Sequence, residues 1–129
     1  MKLGYTIIYV PDVPATVAFY EAAFGLTTKF IHDSNLYGEM NTGETTLAFA
    51  GLEAAEMAGF SVRPNTAKDL PAAWEVCLVT SDVQSAFERA VQAGCVPIVL
   101  PVDKPWGQTV SYLRDLNGCL VEIASPVGS

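Results

Sequence analysis

The stretch YTIIYVPDVPATVAFYEAAFG, residues 5–25, decides the fold because a second stretch repeats its order of predicted strand and helix. EVCLVTSDVQSAFERAVQAG, residues 75–94, also runs from a β-branched segment through an Asp-Val pair into a helical segment that ends in glycine. The aspartate of each copy, Asp12 or Asp82, is suited to be a helix N-cap, because a short carboxylate accepts the free amides of the first turn. An internal repeat of this kind predicts a duplicated supersecondary unit.

Three strand-like segments follow each predicted helix, and a turn signal separates the last two of them. The turn lies in MNTGET, residues 40–45, in the first copy and in DLNG, residues 115–118, in the second. Apolar residues recur at helical spacing in both helical segments, as in helices that pack against a sheet. The order predicts an α+β fold of tandem βαβββ repeats, with a curved mixed sheet around a cleft and the helices on its outer face.

The two copies are expected to form a single domain of 129 residues. They cover about residues 3–51 and 73–126. Residues 52–72 contain Pro64 and Pro71 and match nothing in the other half, so we predict that they are the linker.

Composition narrows the classes of partner and compartment. The chain has 14 acidic and 7 basic side chains and a formal net charge of −7. Nucleic-acid binding needs a basic face, so we expect no nucleic-acid partner. No apolar run reaches the roughly 18 residues of a membrane span, and the first residues lack the cleavage site of a signal peptide. The three cysteines form no CxxC spacing, which predicts free thiols and a cytoplasmic protein.

The segment KPWGQTVSYLRDLNGCLVEIA, residues 104–124, places Glu122 inside an apolar strand. If DLNG closes this hairpin, Tyr112 lies opposite Glu122 and Arg114 lies opposite Leu120, all on one face. The other face is apolar and suited to pack against the helix. The same alternation in the first strand of the second copy places Glu75 and Cys77 together on one face. We therefore expect Glu75, Cys77, Tyr112 and Glu122 to line the cleft.

In the first copy, Tyr5 and Tyr9 occupy the corresponding positions of the first strand. Gly38 and Ala48 are expected to oppose each other in its hairpin, where small side chains would leave room for a ligand. Trp106 stands in a loop between Pro105 and Gly107, where it could stack on a planar ligand. The predicted ligand-binding residues are Tyr5, Tyr9, Gly38, Ala48, Glu75, Cys77, Trp106, Tyr112 and Glu122.

Several of these residues have alternative interpretations. Glu75 and Glu122 could be paired acid/base groups and are the candidate catalytic residues; they could instead attract a cationic ligand or be solvated. Trp106 could pack as a lid, and the tyrosines could fill a core. Cys77 has no histidine on its face, which favours a small buried residue over a nucleophile.

Two segments, YTIIYVPDVPATVAFYEAAFGL (residues 5–26) and LRDLNGCLVEI (residues 113–123), resemble the vicinal oxygen chelate superfamily. This superfamily includes glyoxalase I, bleomycin-resistance proteins and extradiol dioxygenases. The resemblance covers nearly the whole chain. Residues 104–124 are also similar to the closing segment of bleomycin-resistance proteins, where a Pro-Trp-Gly loop precedes the final hairpin. The resemblance implies the tandem βαβββ fold, a homodimer and a small-molecule ligand.

In members of the superfamily that use a metal, the resemblance places the ligands at Tyr5, Ala48, Glu75 and Glu122. Alanine cannot bind a metal, and the only histidine, His32, lies away from these positions. We therefore expect no cofactor and no metal site of the family type, although Glu75 and Glu122 remain weak candidates for a divalent ion such as Mg²⁺ or Mn²⁺.

The sequence thus favours a protein that binds a small organic molecule, cationic or planar, in an aromatic and acidic cleft, without catalysis. The alternative is a divalent-metal-dependent lyase, isomerase or dioxygenase that uses Glu75 and Glu122. A third reading is an interaction module in which Trp106 contacts another protein.

Overall fold

The computed structural model describes residues 1–128, which form two compact units, Met1–Pro64 and a second unit that begins at Asn65. The first unit contains β1 (Tyr5–Val10), α1 (Val13–Phe24), β2 (Thr27–Ile31), β3 (Tyr37–Asn41), β4 (Thr46–Gly51) and α2 (Leu52–Met57). The second contains β5 (Val76–Val79), α3 (Val83–Ala93), β6 (Val96–Lys104), β7 (Gln108–Arg114) and β8 (Leu120–Ala124). Within residues 1–128, every helix is too short or too polar to cross a membrane.

Each unit has its own four-stranded mixed sheet, and the two sheets have the same topology. The strand order is β1-β4-β3-β2 in the first unit and β5-β8-β7-β6 in the second. In both, the first strand of the unit runs parallel to the last, and the other pairs are antiparallel. The predicted α+β fold of tandem βαβββ repeats is therefore confirmed.

The helices begin and end as the repeat predicts. The Asp12 carboxylate accepts a hydrogen bond from the Ala15 N–H at 3.0 Å, and the Asp82 carboxylate accepts one from the Ser85 N–H at 3.1 Å. The glycines that follow α1 and α3 both have positive φ, the left-handed conformation that ends a helix at little cost for glycine.

One face of each sheet carries the core. In the first unit the rings of Tyr20, from α1, and Phe49, from β4, lie 4.8 Å apart and are fully buried. In the second unit Leu113, Val121 and Ile123 are at most 2% exposed, as the alternation of β7 and β8 predicts. We call the opposite face of each sheet the open face. It carries Tyr5 and Tyr9 in the first unit and Tyr112 and Glu122 in the second.

The stretch predicted as a linker begins with α2, which directly follows β4. Ala55 of α2 is fully buried, and the ring of Phe60 packs edge-on against Tyr9 of β1 at 5.8 Å. The first unit therefore extends to Pro64, because this short helix covers apolar surface at the end of its sheet.

The turn between β7 and β8 is held by a buried aspartate. Asp115 is 3% exposed, and its Oδ1 accepts hydrogen bonds from the Asn117 N–H at 2.8 Å and the Cys119 N–H at 2.9 Å. Gly118 has a φ of +82°, which other residues adopt only with strain. The DLNG turn thus fixes the register of the last hairpin.

We expect Asp115→Ala to lower the free energy of unfolding by about 2–3 kcal/mol, because two backbone N–H groups lose their acceptor at a buried site. Urea unfolding at pH 7 measures the change. The matched control is Asp115→Asn, whose side-chain oxygen can still accept both bonds and which should lose much less. Equal losses in the two variants would show that the charge, rather than the acceptor, stabilises the turn.

Candidate functional site

Two carboxyl groups and a thiol meet on the open face of the second unit. Glu122 of β8 lies beside Cys77 of β5 and opposite Tyr112 of β7, so the predicted pairing of Tyr112 with Glu122 is confirmed. Glu75 directly precedes β5. One donor atom each from Glu75, Cys77 and Glu122 lie within 4.8 Å of one another, and we call these three residues the acidic cluster.

The charges of the cluster are coupled. A hydrogen bond to Glu122 is the main cause that raises the pKa of Glu75 to about 7; burial and the charge of Glu122 raise it further. Cys77 is exposed, so its interpretation as a small buried residue is wrong. Partial desolvation by its neighbours, followed by the charges of Glu122 and Glu75, raises the pKa of its thiol to about 11. The pKa of Tyr112 is raised by burial first and then by the same two carboxylates. Near pH 7 Glu75 is therefore about half protonated, while the thiol and the phenol are neutral.

No basic side chain neutralises this pair within residues 1–128. Neither Glu75 nor Glu122 has a lysine or arginine nitrogen within 4.0 Å. The carboxyl groups lie on a partly exposed face, so a cation from solution can approach them. Two neighbouring carboxyl groups without a basic partner create a negative potential, which a bound cation would neutralise.

The open face of the first unit is aromatic. Tyr5 and Tyr9 alternate along β1 with buried residues, as predicted, and Tyr5 is 56% exposed. The rings of Phe30 and Tyr37 pack against each other with centroids 6.0 Å apart. This face therefore offers ring surfaces rather than donor atoms.

The predicted opposition of Gly38 and Ala48 is wrong by one residue. Glu39 pairs with Ala48, and Gly38 pairs with Phe49. A Cβ on Gly38 would meet the side chains of Val17 and Val13 at 3.2 and 3.3 Å, so this position faces α1 rather than the open face.

Ala48 does lie on the open face, but it is fully buried and does not border open space as expected. Its neighbours across the sheet, Ile7 and Glu39, carry larger side chains than the predicted glycine partner. The predicted room for a ligand at this pair is therefore filled by the protein itself.

Glu39 is a buried carboxylate that the sequence reasoning missed. It is 7% exposed, accepts a hydrogen bond from the Tyr37 hydroxyl at 2.8 Å and lies 3.7 Å from Lys29 Nζ. Burial is the first cause that raises the pKa of Tyr37, and the hydrogen bond to Glu39 is the second. The signal was present in YGEMN, where a single charge alternates with Gly38 and Met40 in a strand.

Trp106 lies at the far end of the last hairpin. It is 56% exposed; its Nε1–H donates to Gln108 Oε1 at 2.8 Å, and Lys104 Nζ lies 6.0 Å from the ring centroid. Gln108 and Tyr112 are four positions apart on β7, which is about 13 Å of strand. The structure therefore does not bring the base of this loop next to the acidic cluster.

A family model described as Glyoxalase/Bleomycin resistance protein/Dioxygenase superfamily matches residues 2–123. The chain belongs to this superfamily. The resemblance read from the repeats is confirmed, and the acidic cluster lies on strands of a glyoxalase-superfamily fold. The match identifies the superfamily and leaves ligand and reaction open, since one fold hosts many functions.

Solved structures of superfamily members share the fold over nearly the whole chain. A glyoxalase-related enzyme from Fulvimarina pelagi is 22% identical, with a TM-score of 0.80 over 98% of this chain and 88% of that one. A glyoxalase/bleomycin resistance protein/dioxygenase family enzyme from Burkholderia phytofirmans PsJN is 25% identical, with a TM-score of 0.77 over 97% and 98%. TioX from Micromonospora sp. ML1 is 21% identical, with a TM-score of 0.72 over 97% and 98%. No curated protein matches the chain in sequence.

We expect Glu75→Gln to remove a pH-dependent part of the stability. The folded pKa near 7 exceeds the ordinary value of 4.5, so the folded chain holds an extra proton between these values and loses stability as pH rises through this window. The contribution is about 1 kcal/mol, because solvent screens a partly exposed carboxyl group.

Urea unfolding at pH 5 and pH 8 measures this effect as the difference between wild type and variant. Glu56→Gln on the exposed surface of α2 is the control and should keep the wild-type slope. An identical pH dependence in Glu75→Gln and wild type would contradict a raised pKa for Glu75.

Proposed function

We propose that the chain binds a small organic cation on the open face of the second unit, with Glu75 and Glu122 as its charged contacts. The observation that carries the proposal is the carboxyl pair itself, in which Glu75 is hydrogen-bonded to Glu122 and neither group has a basic partner within residues 1–128. A bound cation would supply the missing counter-charge. Hydrogen bonds from a charged donor to a carboxylate are stronger than neutral ones, so such a ligand gains both charge and directionality.

The neighbours of the pair suit a ligand with a flat or apolar part. Tyr112 lies opposite Glu122, and the ring of a tyrosine attracts a cation through its face. Cys77 adds a neutral thiol beside the carboxyl groups. A tyrosine ring and a neutral thiol beside the carboxyl groups favour an organic cation over a simple inorganic one.

The other proposed contacts are aromatic. Tyr5 and Tyr9 are proposed separately, as ring surfaces for an aromatic ligand on the open face of the first unit. Within the second unit, Trp106 would stack on a planar group. A ligand that touches both Tyr112 and the base of the Trp106 loop must span about 13 Å, the length of four strand residues. Compact ligands would therefore use the acidic cluster without Trp106.

We further propose that the protein is a cytoplasmic homodimer. The three cysteines are free, which suits a reducing cytoplasm. Membership of the superfamily supports a homodimer that binds a small molecule, as the resemblance implies. Function by binding alone, as in bleomycin resistance, requires no metal and no catalytic group.

Benzamidinium, a planar aromatic cation, and benzamide, its uncharged analogue, test the proposal by titration calorimetry. We expect benzamidinium to bind at least about tenfold more tightly than benzamide, and the difference to disappear in Glu122→Gln and in Glu75→Gln. Glu56→Gln removes one exposed negative charge elsewhere and should keep wild-type affinity. Equal binding of both compounds to the wild type would refute the cation proposal.

A metalloenzyme is the second candidate, and one observation favours it. The Sγ of Cys77 joins the two carboxyl groups within 4.8 Å, which is a group that could hold a metal ion. A thiolate with two carboxylates suits Zn²⁺ better than Mg²⁺, which prefers oxygen ligands only. When bound, such an ion would act as a Lewis acid, and the chain would then be a lyase or isomerase. A dioxygenase would need a redox-active ion such as Fe²⁺ at the same residues.

Metal analysis of freshly purified protein separates the two candidates. On the binding proposal, we expect benzamidinium affinity to survive treatment with EDTA, because the carboxyl groups contact the cation directly. Tight, stoichiometric Zn²⁺ or Mn²⁺ that is lost in Glu122→Gln and weakened in Cys77→Ser would favour the enzyme. Cys95→Ser changes a buried cysteine outside the cluster and is the control.

A further inference from the structure

Arg114 is a cation on the same sheet face as the acidic cluster. It pairs with Leu120 in β8 while Tyr112 pairs with Glu122, so Arg114 and Glu122 are diagonal neighbours across the two strands. Such neighbours are about 7–8 Å apart, which a long side chain can bridge. An ion pair between Arg114 and Glu122 is therefore the expected contact, and it is not formed.

The guanidinium of Arg114 instead donates to backbone carbonyls. Its Nε–H donates to the Gly118 carbonyl at 2.9 Å, Nη2 donates to the Thr66 carbonyl at 3.1 Å, and Nη1 donates to the Ala67 carbonyl at 3.4 Å. These three acceptors use the forked donor geometry of arginine, which a lysine cannot reproduce. We call this set of hydrogen bonds the Arg114 tether.

The tether depends on close contact between the β7–β8 turn and residues 66–67. A Cβ on Gly118 would lie 2.6 Å from the Thr66 carbonyl oxygen and 2.7 Å from the Ala67 nitrogen. It would also lie 2.7 Å from Arg114 Nη2. Any side chain at position 118 would push residues 66–67 away and separate two of the three carbonyls from Arg114.

We propose that the Arg114 tether is a positioning device that keeps a cation away from Glu122 and so leaves the acidic cluster free for a cationic ligand. The inference rests on the proposed function. The groups that face the carboxyl pair are Glu75 and Cys77 from the β5 segment, Tyr112 from β7 and Glu122 from β8. None of them is a cation, so release of Arg114 would bring a positive charge next to the carboxyl pair, where it would compete with a cationic ligand.

The central test is a pair of variants that separate release from distortion. Gly118→Ala should free Arg114 and weaken benzamidinium binding about fivefold, the effect of one partly exposed charge pair. Arg114→Gln alone should bind within about twofold of wild type, because the tethered cation does not contact the pair. Combining the two substitutions should restore binding. A double variant that stays as weak as Gly118→Ala would overturn the proposal.

A second arm keeps the test valid if Gly118→Ala does not fold. Arg114→Lys retains the charge but cannot hold three carbonyls, so its ammonium is released toward Glu122. We expect Arg114→Lys to bind benzamidinium about fivefold more weakly than Arg114→Gln, since the two differ in the freed charge. Equal affinity in these two variants would also overturn the proposal.

A readout without ligand distinguishes failure of the tether from failure of the proposed function. The side-chain carboxyl of Glu75 can be titrated by carbon NMR in each variant. A freed cation beside Glu122 should lower the pKa of Glu75 in Gly118→Ala and Arg114→Lys and leave it unchanged in Arg114→Gln. If the wild type binds no benzamidinium, the proposed function fails while this titration still decides the tether; unchanged titration in all variants would end the inference.

Discussion

The parallel pairing of β5 with β8 is the constraint on which the candidate site depends. It joins the first strand of the second unit to its last, and so places Cys77 beside Glu122 although 45 positions separate them. Because side chains alternate along a strand, the same register fixes Glu75 on the same face. The hydrogen bond between the two carboxyl groups, the raised pKa of Glu75 and the suppressed ionisation of Cys77 all follow from this one pairing.

The duplicated units show how one backbone plan can carry different chemistry. Glu39 of β3 pairs with Ala48 of β4, and Tyr112 of β7 pairs with Glu122 of β8. The carboxylate therefore lies on the third strand of the first unit and on the fourth strand of the second. In the first unit the buried carboxylate has its own partners, Tyr37 and Lys29. In the second unit, neither Glu75 nor Glu122 has a basic partner within residues 1–128. Burying a charge is costly unless it is paired. Glu39 is buried and has these partners, whereas Glu75 and Glu122 are partly exposed to solvent.

The sequence predicted the fold and the second half of the site because strong local signals set the register there. Asp115 accepts two backbone hydrogen bonds within DLNG, and Gly118 supplies the positive φ of the turn, so counting outward from this turn gave the correct partners. The first hairpin has a looser turn, closed by the Thr42 hydroxyl on the Thr45 carbonyl. Counting from it slipped by one residue, which moved Gly38 to the wrong face and hid Glu39. The partners of Arg114 lie 47 and 48 residues away and have no local signal at all.

Whether the acidic cluster would suit an organic cation or a metal ion depends on Cys77 more than on the carboxylates. Both carboxylates would contact an ammonium group and a metal ion alike, whereas a thiol contributes to metal affinity only as a thiolate. Partial desolvation and the neighbouring negative charges hold the Cys77 pKa near 11, so at neutral pH a metal must displace a tightly held proton to gain this ligand. An organic cation needs no such step, because it would contact the carboxylates and leave the thiol protonated. Cys77 thus makes metal binding through all three donors depend on pH, through release of its proton, a requirement that an organic cation does not have.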